Sequence, residues 1–322
     1  TELFKPLPKP WRPHAYQKKA IKFLLEHACA GLLLEPGLGK TSVTLAAIKF
    51  LKARGLLTKV LVIAPRRVCY SVWPVEAAQW KDFAGLRVEV LHGPGKDAAL
   101  RRDADIYVIN PEGLDWLLGA EKHRGAGGKT RVTVDARRFK ALGFDTLVID
   151  ELSKFKHYNT NRFKALKHVL GTFARRWGLT GSPASNGLLD LFGQCYMLDE
   201  GHALGRYITH YRQTYFMTVD RAGYDWQLQP RAEERIYARL APLVLRMAAE
   251  DYLELPELTY NNIYVDLPTA AAKVYDGLEQ DLFAMLDKKV VTAANAGVAS
   301  MKCRQVASGG LYLDPADELT PV

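Results

Sequence analysis

The sequence predicts an α/β fold, a parallel sheet with helices on both faces. Three observations carry that expectation. Short apolar runs alternate with helical periods through residues 29–198. One run, Leu32-Leu33-Leu34, ends in the Gly-rich turn Glu35-Pro36-Gly37-Leu38-Gly39, after which Lys40-Thr41 open a helical period. Another, Leu147-Val148-Ile149, ends in the acids Asp150-Glu151. Continuous apolar strands joined through helices are what a sheet covered on both faces requires.

Taken in order, residues 1–13 are Pro-rich and basic and are expected to be extended. His14 to His27 reads as a helix with Ala20, Ile21, Phe23, Leu24 and Leu25 on its apolar positions. A strand follows at Gly31 to Leu34, then a helix with the period Val43, Ala46, Ala47, Phe50, Leu51. Lys59 to Ala64 is a second buried strand, closed by Pro65. Val68 to Phe83 reads as helix with a break at Pro74, and Arg87 to Leu91 and Asp105 to Ile109 as strands. Pro111 opens a short helix, as proline does at a first turn. Gly119 to Thr130, with four glycines and several cations, reads as an exposed solvated loop, with a DNA contact as the alternative. Asp145 to Asp150 and Arg175 to Leu179 are further strands, and Leu188 to Leu198 a helix. From Asp199 to Glu254 aromatic and charged residues mix, no buried parallel strand is evident, and a mostly helical insertion is expected, with a polar turn at Asp220 to Gly223. Tyr260 to Leu267 alternates as a strand, before helices at Ala270 to Leu286 and Ser300 to Val306.

The chemistry concentrates in three turns. Gly37 and Gly39 allow backbone dihedrals closed to other residues, so successive N–H groups can face one concavity. The following helix N-terminus adds partial positive charge there. Lys40 reaches toward β- and γ-phosphates, and the Thr41 hydroxyl suits Mg²⁺. The strict phosphate-loop pattern wants glycine where this chain has Leu34, so the Gly-Lys-Thr tail carries the reading; the alternative is a Gly-rich turn before an ordinary helix. Asp150 suits the water shell of Mg²⁺, and Glu151 is placed to orient and deprotonate an attacking water; alternatively the pair merely caps a strand. The turn Thr180-Gly181-Ser182-Pro183-Ala184-Ser185-Asn186 offers hydroxyls to a γ-phosphate or to the Asp150-Glu151 segment; its alternative is a strand-to-helix connection with Ser and Asn caps.

The bulk numbers bound the rest. A chain of 322 residues suggests about two domains. A net charge of +9 and a pI near 9.2 suit a polyanionic partner without requiring one. The four cysteines lie far apart with no metal-ligand spacing, and read as reduced thiols of an intracellular, cytoplasmic protein. No apolar run approaches the roughly 18 residues of a membrane span, and the first residues lack the apolar core of an export signal.

The stretches "WRPHAYQKKAIKFL", "EPGLGKT", "VLVIAPRRVCYSVWPVEAAQW", "VIDELSKFKH", "LTGSPASNGLLDLF", "LVLRMAAEDYLELPE" and "KCRQVASGG" resemble, in order and context, Swi/Snf-type motors, a branch of the superfamily-two helicase-like ATPases. The chain looks most like compact bacterial and phage members. The resemblance implies a RecA-like ATP-binding domain over 1–198, a helical protrusion over 199–256, and the linker and beginning of a second RecA-like domain over 257–322, its remainder lying beyond Val322. It implies that Gln17 reads the adenine edge with His14 and Tyr16 nearby. Gly37, Gly39, Lys40, Thr41 and Ser42 would hold ATP, with Thr41 and Asp150 toward Mg²⁺ and Lys40, Asp150 and Glu151 catalytic. Ser153 and Thr180, Gly181, Ser182 and Pro183 would couple nucleotide state to domain motion. Pro65, Arg66, Asn110, Pro111 and Glu112, with Lys154 and Lys156, would line double-stranded DNA gripped through its phosphates. Two departures stand out: Ser153 replaces the family's usual histidine, and nothing after Arg304-Gln305 resembles the later motifs whose arginines complete the site. The function so implied is the ATP-hydrolysing half of a duplex-DNA translocase, with weak turnover from this chain alone. Its rivals are the motor subunit of a restriction or repair complex, a DNA- or protein-docking module without turnover, and a small-molecule P-loop kinase.

Overall fold

The computed structural model describes residues 8–124, 130–184, 187–219, 225–253, 261–286, 289–293, 295–312 and 320–321. The chain divides into two compact units, Thr1–Leu255 and Pro256–Val322.

In the first unit, α1 (Ala15–Glu26) leads into β1 (Cys29–Leu34), and α2 (Lys40–Lys52) into β2 (Val60–Ile63). The helical stretch after Pro65 is broken, as Pro74 predicts, into α3 (Arg66–Ser71) and α4 (Trp73–Gln79). Then come β3 (Val88–Val90), α5 (Lys96–Arg101), β4 (Ile106–Ile109) and α6 (Leu114–Leu118). A hairpin of β5 (Glu121–Arg124) and β6 (Thr130–Thr133) precedes α7 (Ala136–Ala141), β7 (Thr146–Asp150), α8 (Asn161–Lys167), β8 (Arg175–Thr180) and α9 (Leu191–Asp199). The unit finishes with α10 (Ile208–Tyr215), a hairpin of β9 (Phe216–Thr218) and β10 (Trp226–Leu228), α11 (Ala232–Leu240) and β11 (Val244–Met247).

Seven strands form one parallel sheet in the order β11-β1-β8-β7-β2-β4-β3. Its two faces are written in alternate residues, as a period of two demands. Leu61, Ile63, Tyr107, Ile109, Leu147 and Ile149 enter one apolar cluster. Val60, Val62, Ile106, Val108, Val148 and Leu179 enter the other, against Leu24, Val43, Ile48 and Trp73 of the helices there. Both layers are solvent-excluded, so the strands carry no polar alternation.

Several expectations need correction. The stretch after Asp199 is not without a parallel strand: β11 pairs with β1, Gly31 opposite Val244 through Leu34 opposite Met247. The reason is closeness, because a Cβ on Gly31 would lie 2.9 Å from Val244 Cγ1, so only glycine admits the neighbour. Tyr211, Tyr215, Phe216, Ile236 and Leu240 of the same stretch belong to the main apolar cluster. The Gly119–Thr130 stretch is a paired hairpin at its ends, with Val132 buried; 125–129 lie outside the described residues. Residues 261–267 are not a strand, and Ile263, Tyr264 and Val265 are 77%, 91% and 79% exposed. Alternation alone supplies no pairing partner, and none exists for them among the described residues. Tyr260, the Asp220–Gly223 turn, and Ser185 and Asn186 lie outside the described residues.

The second unit contains α12 (Thr269–Gln280), a ladder of β12 (Phe283–Leu286) with β13 (Lys289–Thr292), α13 (Ala296–Ala307), and the short pair β14 (Gly310–Leu311) and β15 (Thr320–Pro321). The helix expected to reach Leu286 therefore stops at Gln280, and its last residues turn into a strand. Val274, Leu278, Val291, Cys303, Val306 and Leu311 make its small core. No helix among the described residues is long and apolar enough to cross a membrane.

Candidate nucleotide site and adjoining groove

All seven strands run the same way, so the turns after β1, β2, β4, β7 and β8 emerge at one edge of the sheet. That edge is where open α/β sheets build ligand sites. The turn after β1 bends through Gly37 (φ +88°) and Gly39 (φ +75°), left-handed conformations that favour glycine. Gly39 meets a second constraint, since a Cβ there would lie 2.5 Å from Gln17 Nε2. Gln17 itself is buried and ties α1 to the loop: its Nε2 donates to Leu38 O at 3.3 Å, and its Oε1 accepts from His14 N at 3.0 Å.

Lys40 curls back over the loop, donating to Leu34 O at 2.8 Å and Glu35 O at 3.3 Å. Burial lowers its pKa, opposed by the charges of Asp150 and Glu151. The ammonium thus senses both acids across the intervening strand β8. Burial raises the pKa of Asp150, against the Trp73 hydrogen bond and the Lys40 charge. The Asp150 Oδ2 accepts from Trp73 Nε1 at 2.9 Å.

Glu151 holds a left-handed backbone, φ +70°, which non-glycine residues adopt at a cost of order 1 kcal/mol. Its N–H donates to Leu179 O at 2.9 Å. Its Oε1 accepts from Thr180 Oγ1 at 3.0 Å and from the Ser153 hydroxyl. Ser153, although it stands where the family has histidine, therefore reaches Glu151, and Thr180 joins the third turn to the second. Ser182 N donates to Thr180 Oγ1 at 3.3 Å, Pro183 O accepts from Gln194 Nε2, and Gly181 lets the turn close on Pro36, whose Cδ a Cβ would meet at 3.1 Å.

Ser42 is placed differently from Thr41. Its hydroxyl donates to Glu76 Oε2 at 2.8 Å, so only its main chain is left for the loop. Thr41 is half-buried at the head of α2. A hydroxyl, a carboxylate and phosphate oxygens form the hard donor set that suits Mg²⁺. A lysine over a glycine concavity suits a polyphosphate. The donors of Thr41 and Asp150 and the two glycines therefore fit a magnesium–nucleotide pair. No group of three or more His, Cys, Asp or Glu able to hold a metal occurs among the described residues.

The predicted nucleic-acid residues converge on a separate groove of about 440 Å³ at the same edge, lined by Pro65, Arg66, Pro111, Lys154 and Lys156 among others. Asn110 is not on its lining: it is buried and donates to Glu112 Oε2 at 2.7 Å, which holds the Glu112 carboxyl below its ordinary range. Lys156 lines the groove yet is paired with Asp190 at 3.0 Å, both largely buried. His157, Thr160 and Arg162 also line it and were not anticipated.

Sequence reasoning missed other supports. Trp73 and Glu76 sit one helical turn apart on α4. The main chain after β11 covers the loop, with Ala249 N donating to Glu35 Oε2 at 2.8 Å and Tyr252 packing on Tyr16 at 5.1 Å between ring centroids. The spacing of Trp73 and Glu76 was a visible signal, an indole and an acid one turn apart on α4, with Trp80 just beyond its end.

A parallel sheet with a phosphate loop after β1, paired acids after β7, and β8 between them defines a RecA-like P-loop protein. Within that class the chain belongs to the SNF2-related domain family, whose model matches residues 16–311. Protein p41 of Acyrthosiphon pisum secondary endosymbiont phage 1 is 32% identical over 318 residues, covering 95% of this chain and 65% of the phage protein. The Sulfolobus solfataricus SWI2/SNF2 ATPase core in complex with dsDNA matches with a TM-score of 0.59 at 25% identity, over 88% of this chain and 55% of the archaeal one. The Sulfolobus solfataricus core domain matches with a TM-score of 0.55 at 25% identity, over 95% and 58%. The chain thus spans less than two thirds of each of these relatives.

Proposed function

We propose that the chain binds ATP with Mg²⁺ at the β1–β7 edge and contributes its hydrolysis to a motor that moves along double-stranded DNA. The observation that carries the reading is the convergence of Lys40, Asp150 and Glu151 on one end of the sheet, with the ammonium near both acids. Lys40 leaves the loop carbonyls to meet the β- and γ-phosphates, and the glycine turn supplies N–H donors. The Thr41 hydroxyl, and Asp150 through a water shell, would hold magnesium, which would supply neutralisation of the phosphate charge. Glu151 is the general base: Ser153 and Thr180 occupy Oε1, so Oε2 remains to take the proton of the attacking water. Gln17, already bound to Leu38 O, faces the adenine edge and reports its occupancy to the phosphate turn. Thr180 to Pro183 relay the state of Glu151, and residues 257–322 begin a second RecA-like lobe. Arg66, Lys154 and Arg162 grip duplex phosphates, a contact blind to sequence and sensitive to salt. Free thiols and the absence of a spanning helix among the described residues are compatible with an intracellular setting.

The test is binding of a fluorescent ATP analogue and phosphate release with and without duplex DNA. Lys40→Ala is expected to abolish binding, and Glu151→Gln to keep binding while removing turnover. Turnover that survives Lys40→Ala would overturn the site. Binding without any turnover, with or without DNA, would favour a docking module instead.

A further inference from the structure

We propose that Trp73 is a positioning residue that holds the metal-facing carboxylate of Asp150 from behind, through α4. The inference rests on the nucleotide reading above and adds a residue to it. Trp73 is wholly buried. An indole N–H can only donate, so it pairs best with an ionised acceptor. Here it donates to Asp150 Oδ2 at 2.9 Å. With Oδ2 occupied, the carboxylate cannot spin freely, which would leave Oδ1 to meet the water shell of a bound metal.

The helix that carries Trp73 is itself pinned to the first turn of α2, directly after the phosphate loop. One turn on, Glu76 Oε2 accepts from Ser42 Oγ at 2.8 Å and from Trp80 Nε1 at 2.8 Å. Ser42 directly follows Thr41, the proposed hydroxyl ligand. Positions 73 and 76 fall on one face of α4, and that face holds Asp150 on one side and Ser42 on the other, while Trp80, just past the helix end, steadies Glu76. The separation of Thr41 from Asp150 is thereby fixed by α4 as well as by the sheet. A packing role alone would not need an indole nitrogen aimed at this carboxylate.

Trp73→Phe keeps an aromatic ring in the core and deletes the N–H. In the full chain, binding of a fluorescent ATP analogue is followed as Mg²⁺ is titrated. The expected result is a rise of about tenfold in the Mg²⁺ needed for half-maximal binding, the scale of one hydrogen bond to a charged group, with binding to Mg²⁺-free nucleotide unchanged. Lys40→Ala, run alongside, removes binding at every Mg²⁺ concentration. A Trp73→Phe protein that loses thermal stability but keeps the parental Mg²⁺ dependence overturns the proposal while leaving the nucleotide site intact. Binding that persists in Lys40→Ala overturns the nucleotide reading itself. A second measurement covers a variant that does not fold. Among the six tryptophan indole ¹H–¹⁵N resonances, that of Trp73, assigned through the backbone, is expected to move on Asp150→Asn. If it stays in place, the hydrogen bond is absent in solution and the proposal fails.

Discussion

Alanine at Gly39 tests the geometry of the phosphate turn against a built-in control. Both Gly37 and Gly39 sit in the left-handed region, where an L-residue costs about 1–2 kcal/mol. At Gly37 that strain is the whole cost, because the nearest atom to an added Cβ is Leu253 Cδ1 at an ordinary 3.7 Å. At Gly39 the added Cβ would lie 2.5 Å from Gln17 Nε2, so the amide must withdraw and its bond to Leu38 O breaks. That adds about 1 kcal/mol, giving about 2–3 kcal/mol in total. Urea unfolding of both variants, in the parent and in a Gln17→Ala background, separates the two parts. The excess of Gly39→Ala over Gly37→Ala should be about 1 kcal/mol in the parent and close to zero without Gln17. Equal costs in both backgrounds would refute the coupling of Gln17 to the loop.

Asp150→Asn should raise the melting temperature of the nucleotide-free chain. The sign follows from linkage: the folded state binds the Asp150 proton more tightly than the unfolded chain, so stability falls as pH rises above the ordinary value of 3.8 and stays reduced at neutral pH. The variant should lack that share of the pH dependence in calorimetry. Gly193→Ala should cost about 3 kcal/mol by chemical denaturation. The new Cβ would press on two main-chain carbonyls, Phe155 O and Lys156 O, neither of which can rotate away. Lys154→Ala should flatten the slope of log Kd for duplex DNA against log salt by about 0.9. Lys156→Ala should change that slope less, since Asp190 already neutralises the ammonium.

Much of the fold was legible because the strands are buried on both faces. Val60-Leu61-Val62-Ile63 and Leu147-Val148-Ile149 are apolar without interruption, rich in β-branched residues and too short for an ordinary helix. The exceptions are strands with an open side. β11 carries the exposed Arg246 amid charged neighbours, so Leu243-Val244-Leu245 did not stand out. The β5–β6 hairpin is polar nearly throughout and is held by its own pairing, with Val132 its one buried anchor. In the proposed site, Lys40, Thr41, Asp150 and Glu151 were legible as candidates because each motif carries its chemistry within a few residues. Trp73 was not, because its partner lies 77 positions away. The Lys156–Asp190 pair hid for the same reason, across 34 positions. Ser42 looked like a ligand from its place in the motif, and only the packing of α4 shows where its hydroxyl goes.

The pairing of β11 with β1 has a consequence for how the chain emerges from the ribosome. The carboxylate of Glu35 closes on Ala249 N, 214 positions later. Until that distant segment has been synthesised, the strand bearing the phosphate turn has one bare flank, a template that a neighbouring nascent chain could also join. Synthesis that stalls after α9 would therefore leave β1, which carries that turn, as the sheet margin, whereas once β11 has joined, the margin is a strand bearing the exposed cation Arg246, a charge that discourages edge-to-edge joining.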